Sequence, residues 1–103
     1  MDERARSLCG LLGLARRAGK LAMGATAVAR MVNGGEKPLV ILASDAGSSL
    51  RGSAERWEPV AGVVTDVLTS DEMAEAMGRQ KLAVMAVADP GFVRGIKKNL
   101  KPE

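Results

Sequence analysis

Two continuous apolar runs constrain the fold of this chain more than any other feature. Residues 39–43 read Leu-Val-Ile-Leu-Ala, and residues 82–88 read Leu-Ala-Val-Met-Ala-Val-Ala. Short runs of this kind that are rich in β-branched residues are typical of strands covered on both faces. Both runs are far shorter than the roughly 20 residues that a membrane-spanning helix needs. We therefore predict two buried strands in a sheet that has helices on both sides.

A helical pattern precedes the first of these strands. Apolar residues recur at spacings of three and four and predict a helix over about residues 2–18. A brief strand over residues 20–23 follows, and a second helix begins at Gly24 and ends at Asn33 and Gly34. The apolar stripe of the first helix consists of Leu8, Leu11, Leu12 and Ala15.

The segment between the two apolar runs contains a third helix and a further strand. Gly47 and the two serines after it open this helix, and Pro59 is predicted to stop it. Trp57 lies at a spacing that points it toward the core. Residues 63–68 form another apolar run, which predicts a strand.

Two helices are marked by capping signals. Thr69 and Glu72 have the reciprocal spacing of a capping box, which predicts a short helix ending at Gly78. Asp89 and Pro90 supply an N-cap and a first-position proline for the last helix.

The order of elements predicts the class of fold. Helices alternate with strands along the whole chain, and this alternation indicates an α/β fold arranged as a three-layer α/β/α sandwich. A chain of 103 residues supports one core, so we predict a single domain over residues 1–103.

The charges are unevenly distributed along the chain. Residues 4–37 contain seven basic residues and one acidic residue, whereas residues 38–78 contain two basic and seven acidic residues. The remainder, from residue 79, is basic again. If the two ends of the chain meet in the fold, they form a positively charged face. The alternative is a set of ordinary solvated helix faces.

Cys9 is the only cysteine, and the chain has no histidine. Disulfide frameworks and thiolate metal clusters within one chain are therefore excluded, and we expect neither metal nor cofactor. Cys9 is interpreted as a small buried residue, because a nucleophilic cysteine would need a histidine partner. The N-terminus has no apolar run of a signal peptide, so we expect a cytoplasmic protein.

Residues 15–33 contain the strongest candidate site. The N-terminus of the second helix offers unpaired N–H groups and a partial positive charge to anions such as phosphate. Arg30 lies further along that helix, at spacings of four and three from Thr26 and Ala27. The alternative is that the glycines only end one helix and start the next. The basic and glycine residues before the helix are Arg16, Arg17, Gly19, Lys20 and Gly24.

Catalysis finds little support in the sequence. Asp45 follows a buried strand and could be a phosphoacceptor or a general base, but we interpret it as a turn and capping residue. The phosphate-binding and nucleophile motifs of common enzyme classes are absent. Trp57 and Phe92 are the only aromatic residues and lie at expected core positions, which disfavours RNA binding by base stacking.

Several blocks together give the chain a recognisable signature. Residues 15–24 read Ala-Arg-Arg-Ala-Gly-Lys-Leu-Ala-Met-Gly, Arg30 follows, and residues 39–45 read Leu-Val-Ile-Leu-Ala-Ser-Asp. With Met-Ala-Glu-Ala-Met-Gly at residues 73–78, this set resembles the ribosomal L7Ae and L30e superfamily, most of all its bacterial YlxQ-like branch. The resemblance covers nearly the full chain. It implies a small, mixed, mostly buried four-stranded sheet and binding to kink-turn RNA, which bends sharply at sheared G·A pairs.

The resemblance also implies which residues bind RNA. In the family, the start of the second helix enters the groove beside the G·A pairs, and the loop before the last strand holds an extruded nucleotide. The family pattern has Asn and Glu at positions 26 and 27, and usually Lys at position 30. The corresponding residues here are Gly24, Thr26, Ala27 and Arg30 for the helix, Lys20 for the backbone that approaches it, and Gly78, Arg79, Gln80 and Lys81 for the loop.

The sequence therefore predicts a non-enzymatic protein that binds structured RNA, kink-turn or ribosomal, in association with the ribosome or translation. We expect a monomer with no membrane association, with ribosomal proteins as further partners. The alternative is a protein-interaction module on the same fold that has lost specific RNA recognition. An accessory domain of an RNA methyltransferase fits the fold, but the sequence leaves no residues for a catalytic domain. A receiver or hydrolase acting through Asp45 ranks last.

Overall fold

The computed structural model describes residues 2–57 and 60–100, which form five helices and four strands in the predicted order. Their bounds are α1 (Glu3–Arg17), β1 (Leu21–Met23), α2 (Ala25–Asn33), β2 (Leu39–Leu42), α3 (Ser48–Arg56), β3 (Gly62–Val64), α4 (Ser70–Met77), β4 (Val84–Val87) and α5 (Pro90–Leu100). No helix in these two ranges is both long and apolar enough to cross a membrane.

The sheet has the strand order β1-β4-β2-β3. The strand β4 runs antiparallel to both of its neighbours, β1 and β2. Val87 of β4 lies opposite Leu21 of β1 and opposite Leu39 of β2. The strand β2 runs parallel to β3. The sheet is therefore mixed, which confirms the expectation from the family resemblance.

The two predicted buried strands form the centre of the molecule. Every residue of β2 and β4 is buried, so both faces of the sheet are covered there. The helix α1 packs against α4 and α5, and these three helices form one layer. The other layer consists of α2, which contacts β1 and β4, and α3, which contacts β2. The prediction of a three-layer α/β/α sandwich is confirmed.

Side chains cap three of the helices. The Asp2 carboxylate accepts a hydrogen bond from the backbone N–H of Ala5 (2.8 Å) at the start of α1. The predicted capping box opens α4, since the Thr69 hydroxyl accepts from the Glu72 N–H and the Glu72 carboxylate accepts from the Thr69 N–H. Asp89 caps α5, as predicted. These bonds satisfy N–H groups that have no partner within the helix.

The structure differs from the sequence prediction in the third strand. The predicted strand over residues 63–68 is limited to β3, and Val63 is 43% exposed. The reason is its position at the sheet edge, where a strand has one neighbour and needs little apolar surface. Leu68 is buried without strand geometry, and its carbonyl accepts from the Ser44 N–H. The predicted stop at Pro59 lies outside the described residues.

Three residues that were predicted to be buried are only partly so. Cys9, Trp57 and Phe92 are half-buried and pack against the rim of the core. The two aromatic rings therefore contribute to packing while part of each stays exposed.

Candidate functional site

The start of α2 is held open by backbone geometry. Gly24 has φ 89° and ψ 158°, a conformation that side chains with a Cβ strongly disfavour. Its N–H donates to the carbonyl oxygen of Val84 (2.9 Å), and as a glycine it has no side chain that could cap the helix. Ala25 and Thr26 at the first turn are exposed. The first-turn amides thus lack a side-chain cap and present positive charge to the surface.

The second part of the site is the loop between α4 and β4. Gly78 adopts the left-handed conformation (φ 65°) that ends α4, and the Arg79 N–H donates to the Ala74 carbonyl (2.8 Å). Arg79, Gln80 and Lys81 then follow as three consecutive exposed residues. This segment, the 78–81 loop, presents two cations to solvent.

The fold brings these two parts, which the family resemblance implied as RNA-binding segments, to one groove. The 78–81 loop leads into β4, and the first residue of β4 is the one that bonds to Gly24. Between them lies a groove of about 600 Å³, closed on its far side by α3 and the first turn of α4. The residues that line the groove are Gly24, Ala25, Leu50, Ser70, Asp71, Ala74, Arg79, Gln80, Lys81, Leu82, Ala83 and Val84.

The outer face of α2 carries only part of the predicted set. Thr26 and Arg30 are exposed and lie four residues apart, so they share one side of the helix. Neither residue lines the groove itself, so a contact between Arg30 and a ligand there stays a prediction. Ala27 is different from the prediction, because it is half-buried and packs against the core. Because Val28 and Met31 face the sheet, Ala27 beside them on the helix also turns toward the core.

Gly19 and Lys20 do not reach the groove. They line a second hollow of about 400 Å³ at the opposite end of β1, together with Met31, Glu36 and Asp89. A strand advances about 3.3 Å per residue, so β1 places Lys20 roughly 13 Å from Gly24 along the chain. Because Lys20 and Gly24 are close in the sequence, we expected them in one cationic site. The extended strand β1 instead places them in two different hollows. A contact between Lys20 and a ligand at the groove stays a prediction.

The two arginines at the end of α1 have different surroundings. The Arg16 guanidinium donates to the carbonyl oxygen of Met77, the last residue of α4, at 2.8 Å. Arg17 is exposed and makes no such bond to the rest of residues 2–57 and 60–100. The side chain of Arg16 therefore connects α1 to the beginning of the 78–81 loop.

Asp45 acts as a capping residue, as predicted, but at a helix distant in sequence. Its carboxylate accepts from the backbone N–H of Ser70 (2.8 Å) and from the Ser70 hydroxyl (2.9 Å), at the start of α4. These bonds, the backbone one first, lower the pKa of Asp45 below its ordinary value. Arg51 holds the preceding turn by donating to the carbonyls of Ser44 and Ala46. Sequence spacing gave no signal for either contact.

The groove is polar at its rim and has no catalytic constellation. Arg79 and Lys81 outnumber Asp71, which leaves the rim positively charged. Burial raises the pKa of the Cys9 thiol, with the Glu72 charge adding to the effect, so this cysteine stays a neutral thiol. Within the described part of the chain, no cluster of three or more His, Cys, Asp or Glu residues could hold a metal ion. The charge of the groove suits an anionic partner.

Comparison with known proteins supplies the family. The model of the Ribosomal protein L7Ae/L30e/S12e/Gadd45 family matches residues 6–96. The chain belongs to this family. The match runs from α1 into α5, so it includes both parts of the groove and confirms the sequence resemblance to L7Ae and L30e proteins. No curated protein sequence matches the chain.

Two solved structures show how far the L7Ae/L30e/S12e/Gadd45 fold is shared. A Bacillus halodurans protein of unknown function is 33% identical, with a TM-score of 0.71, and the match covers 92% of this chain and 96% of that one. The Giardia lamblia 15.5kD RNA binding protein is 19% identical, with a TM-score of 0.70 and coverage of 96% and 86%. Because the Giardia lamblia protein is 19% identical to this chain, its similarity demonstrates the fold alone.

Proposed function

We propose that this protein binds structured RNA, of the kink-turn type, in the groove between the start of α2 and the 78–81 loop. The observation that carries the proposal is the hydrogen bond from Gly24 N–H to the Val84 carbonyl, which places uncapped helix amides beside Arg79 and Lys81. The protein acts as a non-enzymatic component of a ribonucleoprotein in the cytoplasm, associated with ribosomes or translation.

The chemistry of the groove favours a phosphate backbone. Helix N-termini bind phosphate through their free N–H groups and their dipole, and Ala25 and Thr26 provide that end here. The Arg79 guanidinium can form two parallel bonds to phosphate oxygens, and the Lys81 ammonium adds a point charge. Leu50 and Leu82 give the groove an apolar floor on which the face of an unpaired base can rest.

Two comparisons support RNA as the partner. The chain belongs to the Ribosomal protein L7Ae/L30e/S12e/Gadd45 family. Over 96% of its residues it shares its fold with an RNA binding protein from Giardia lamblia. The family pattern has Asn and Glu where Thr26 and Ala27 stand. Thr26 can exchange one hydrogen bond with a base edge, whereas Ala27 can exchange none. We therefore propose recognition that depends more on backbone shape than on base reading.

A binding titration tests the proposal. Fluorescence anisotropy with a labelled kink-turn RNA, and with the same RNA lacking its G·A pairs, is measured at two salt concentrations. We expect tighter binding to the kinked RNA and an affinity that falls with salt, since counterions are released from phosphates. Equal binding to both RNAs would remove the kink-turn part of the proposal, and no binding to either would remove RNA binding altogether.

A pair of charge-matched variants locates the site. Arg79→Gln with Lys81→Gln removes two positive charges from the groove, and Arg94→Gln with Lys98→Gln removes two from the exposed face of α5. The loop variant is expected to lower the salt slope by ~2, about one for each phosphate that the protein no longer neutralises. The α5 variant should change the slope little. The reverse ranking would place the RNA on α5.

Asp71 favours a second candidate, a protein-interaction module. This exposed carboxylate stands on the groove wall, where it repels phosphate and could instead bind a cationic side chain of a protein partner. Ribosomal proteins, which are rich in such side chains, are the partners that we consider. Pull-down from lysate before and after nuclease treatment separates the candidates, because a protein partner survives the nuclease and an RNA partner does not.

A further inference from the structure

The contact between Arg16 and Met77 links two elements far apart in the chain. An Arg16 guanidinium nitrogen lies 2.8 Å from the Met77 carbonyl oxygen in a partly buried environment. The two residues are 61 positions apart. A bond between a charged donor and a backbone carbonyl is stronger than one between neutral groups.

Met77 is a position where such a bond has an effect on local order. It is the last residue of α4, and the final carbonyls of a helix have no partner within it. They also carry the negative end of the helix dipole, which a guanidinium neutralises. The next residue, Gly78, begins the 78–81 loop. Fraying of this last turn would therefore displace the loop first.

The opposite end of α4 is held in a complementary way. The Asp45 carboxylate binds the backbone and side chain of Ser70, at the positive end of the same helix. A cation from α1 and an anion from the turn after β2 thus hold the two ends of α4. Ser70 at the start of α4 and Arg79, two residues after its end, both line the groove.

We propose that Arg16 is a positioning residue for the groove, and that it acts by fixing the end of α4 and hence the 78–81 loop. Its neighbour Arg17 is exposed, and we expect it to act on the ligand through its charge alone. The part of this assignment that concerns RNA rests on the proposed function. The part that concerns loop order does not.

Amide hydrogen exchange on the protein without RNA tests the positioning role. In Arg16→Gln, amides of residues 78–81 are expected to exchange about tenfold faster than in the wild type, because one charge-assisted bond to the helix end is removed. Arg17→Gln removes the same charge from the same turn and is the matched control, with unchanged exchange. Arg16→Lys keeps the cation and should restore part of the protection. Equal exchange in Arg16→Gln and the wild type would overturn the proposal.

The RNA titration gives a second readout that a purely electrostatic role would not produce. We expect Arg16→Gln to bind more weakly with an unchanged salt slope, and Arg17→Gln to lower the slope by ~1. A lower slope in Arg16→Gln would make it a phosphate contact and contradict the proposal. If exchange responds as expected but the wild type binds no RNA, the positioning role stands and the proposed function fails.

Discussion

The two helices that begin beside the central strand β4 differ in how their N-termini are satisfied. At the start of β4, α2 opens with Gly24, which has no side chain to cap the first amides. At the end of β4, α5 opens with Asp89, whose carboxylate accepts from the N–H groups of Gly91 (3.0 Å) and Phe92 (3.1 Å). The α2 terminus is thus open to an external anion, whereas the α5 terminus is already occupied by the Asp89 carboxylate.

This difference shows why one end of the sheet is the candidate site and the other is not. The α2 end has the 78–81 loop with two exposed cations. The hollow at the α5 end contains Lys20 but also Glu36 and Asp89, which oppose a phosphate. A helix begins at each end of β4, but the surface at the α2 end attracts phosphate and the surface at the α5 end opposes it. Three substitutions test this comparison, and a fourth tests the contact that holds the start of α4.

The largest effect is expected from Gly24→Ala. Nothing lies within 4 Å of an added Cβ, so the cost comes from the backbone conformation, and we expect about 1–3 kcal/mol lower stability in urea unfolding. Gly47→Ala is the control, because Gly47 also begins a helix without a side-chain cap but has an ordinary φ of −68°. It should change stability by about 0.5 kcal/mol. Equal losses of stability in both variants would contradict the conformational argument.

Ala25→Glu makes the first turn of α2 resemble that of α5. A carboxylate there interacts well with the helix dipole and should raise stability by about 0.5 kcal/mol. The same charge repels phosphate, so RNA affinity should fall on the order of tenfold. Ala25→Gln adds similar bulk without charge and serves as control. If both variants bind RNA equally, charge at the α2 terminus does not govern binding.

Asp89→Ala removes the cap of α5. We expect about 1 kcal/mol lower stability, because two N–H groups lose their acceptor. RNA affinity should remain at the wild-type level, since this end of the sheet lies away from the groove. Unfolding and anisotropy measurements on one preparation check both statements. Tighter RNA binding would mean that the α5 terminus also attracts RNA once its carboxylate is gone.

The smallest effect is expected from Asp45→Asn. The pKa of Asp45 is lower in the folded protein than its ordinary value of 3.8, so its charged form stabilises the fold. This contribution is fully present above pH 3.8 and is lost as the pH falls through the folded pKa. The group is exposed and its interactions are screened, which keeps the difference small. Wild type and variant should therefore differ near neutral pH and converge in acid.

Local signals in the sequence predicted much of the architecture. Periodicity and capping signals predicted the five helices, and continuous apolar runs predicted the two buried strands. The Thr69–Glu72 capping box and the Asp89 cap are present as predicted. These features depend on residues within a few positions of each other. The length of β3 was overestimated, because an apolar run of residues does not reveal that its strand lies at the edge of the sheet.

The candidate site was predictable only in part. The uncapped α2 terminus follows a local pattern, whereas the loop at Arg79 was predicted only from the family resemblance. The division between Gly24 and Lys20 depends on how β1 pairs with β4, and the inward turn of Ala27 depends on packing against the sheet. The Arg16–Met77 and Asp45–Ser70 bonds join segments that are far apart in sequence. One sequence contains no signal for such pairs.

The bond between Gly24 and Val84 also has a consequence for how a partner can fit. The bond holds the start of α2, on one side of the groove, against β4, a central strand whose residues are all buried. Widening the groove on this side would therefore break a contact with the middle of the sheet. For the RNA binding that we propose, this means that the groove offers a fixed shape. We therefore expect the RNA, and not the protein, to supply the bend that makes the two surfaces fit.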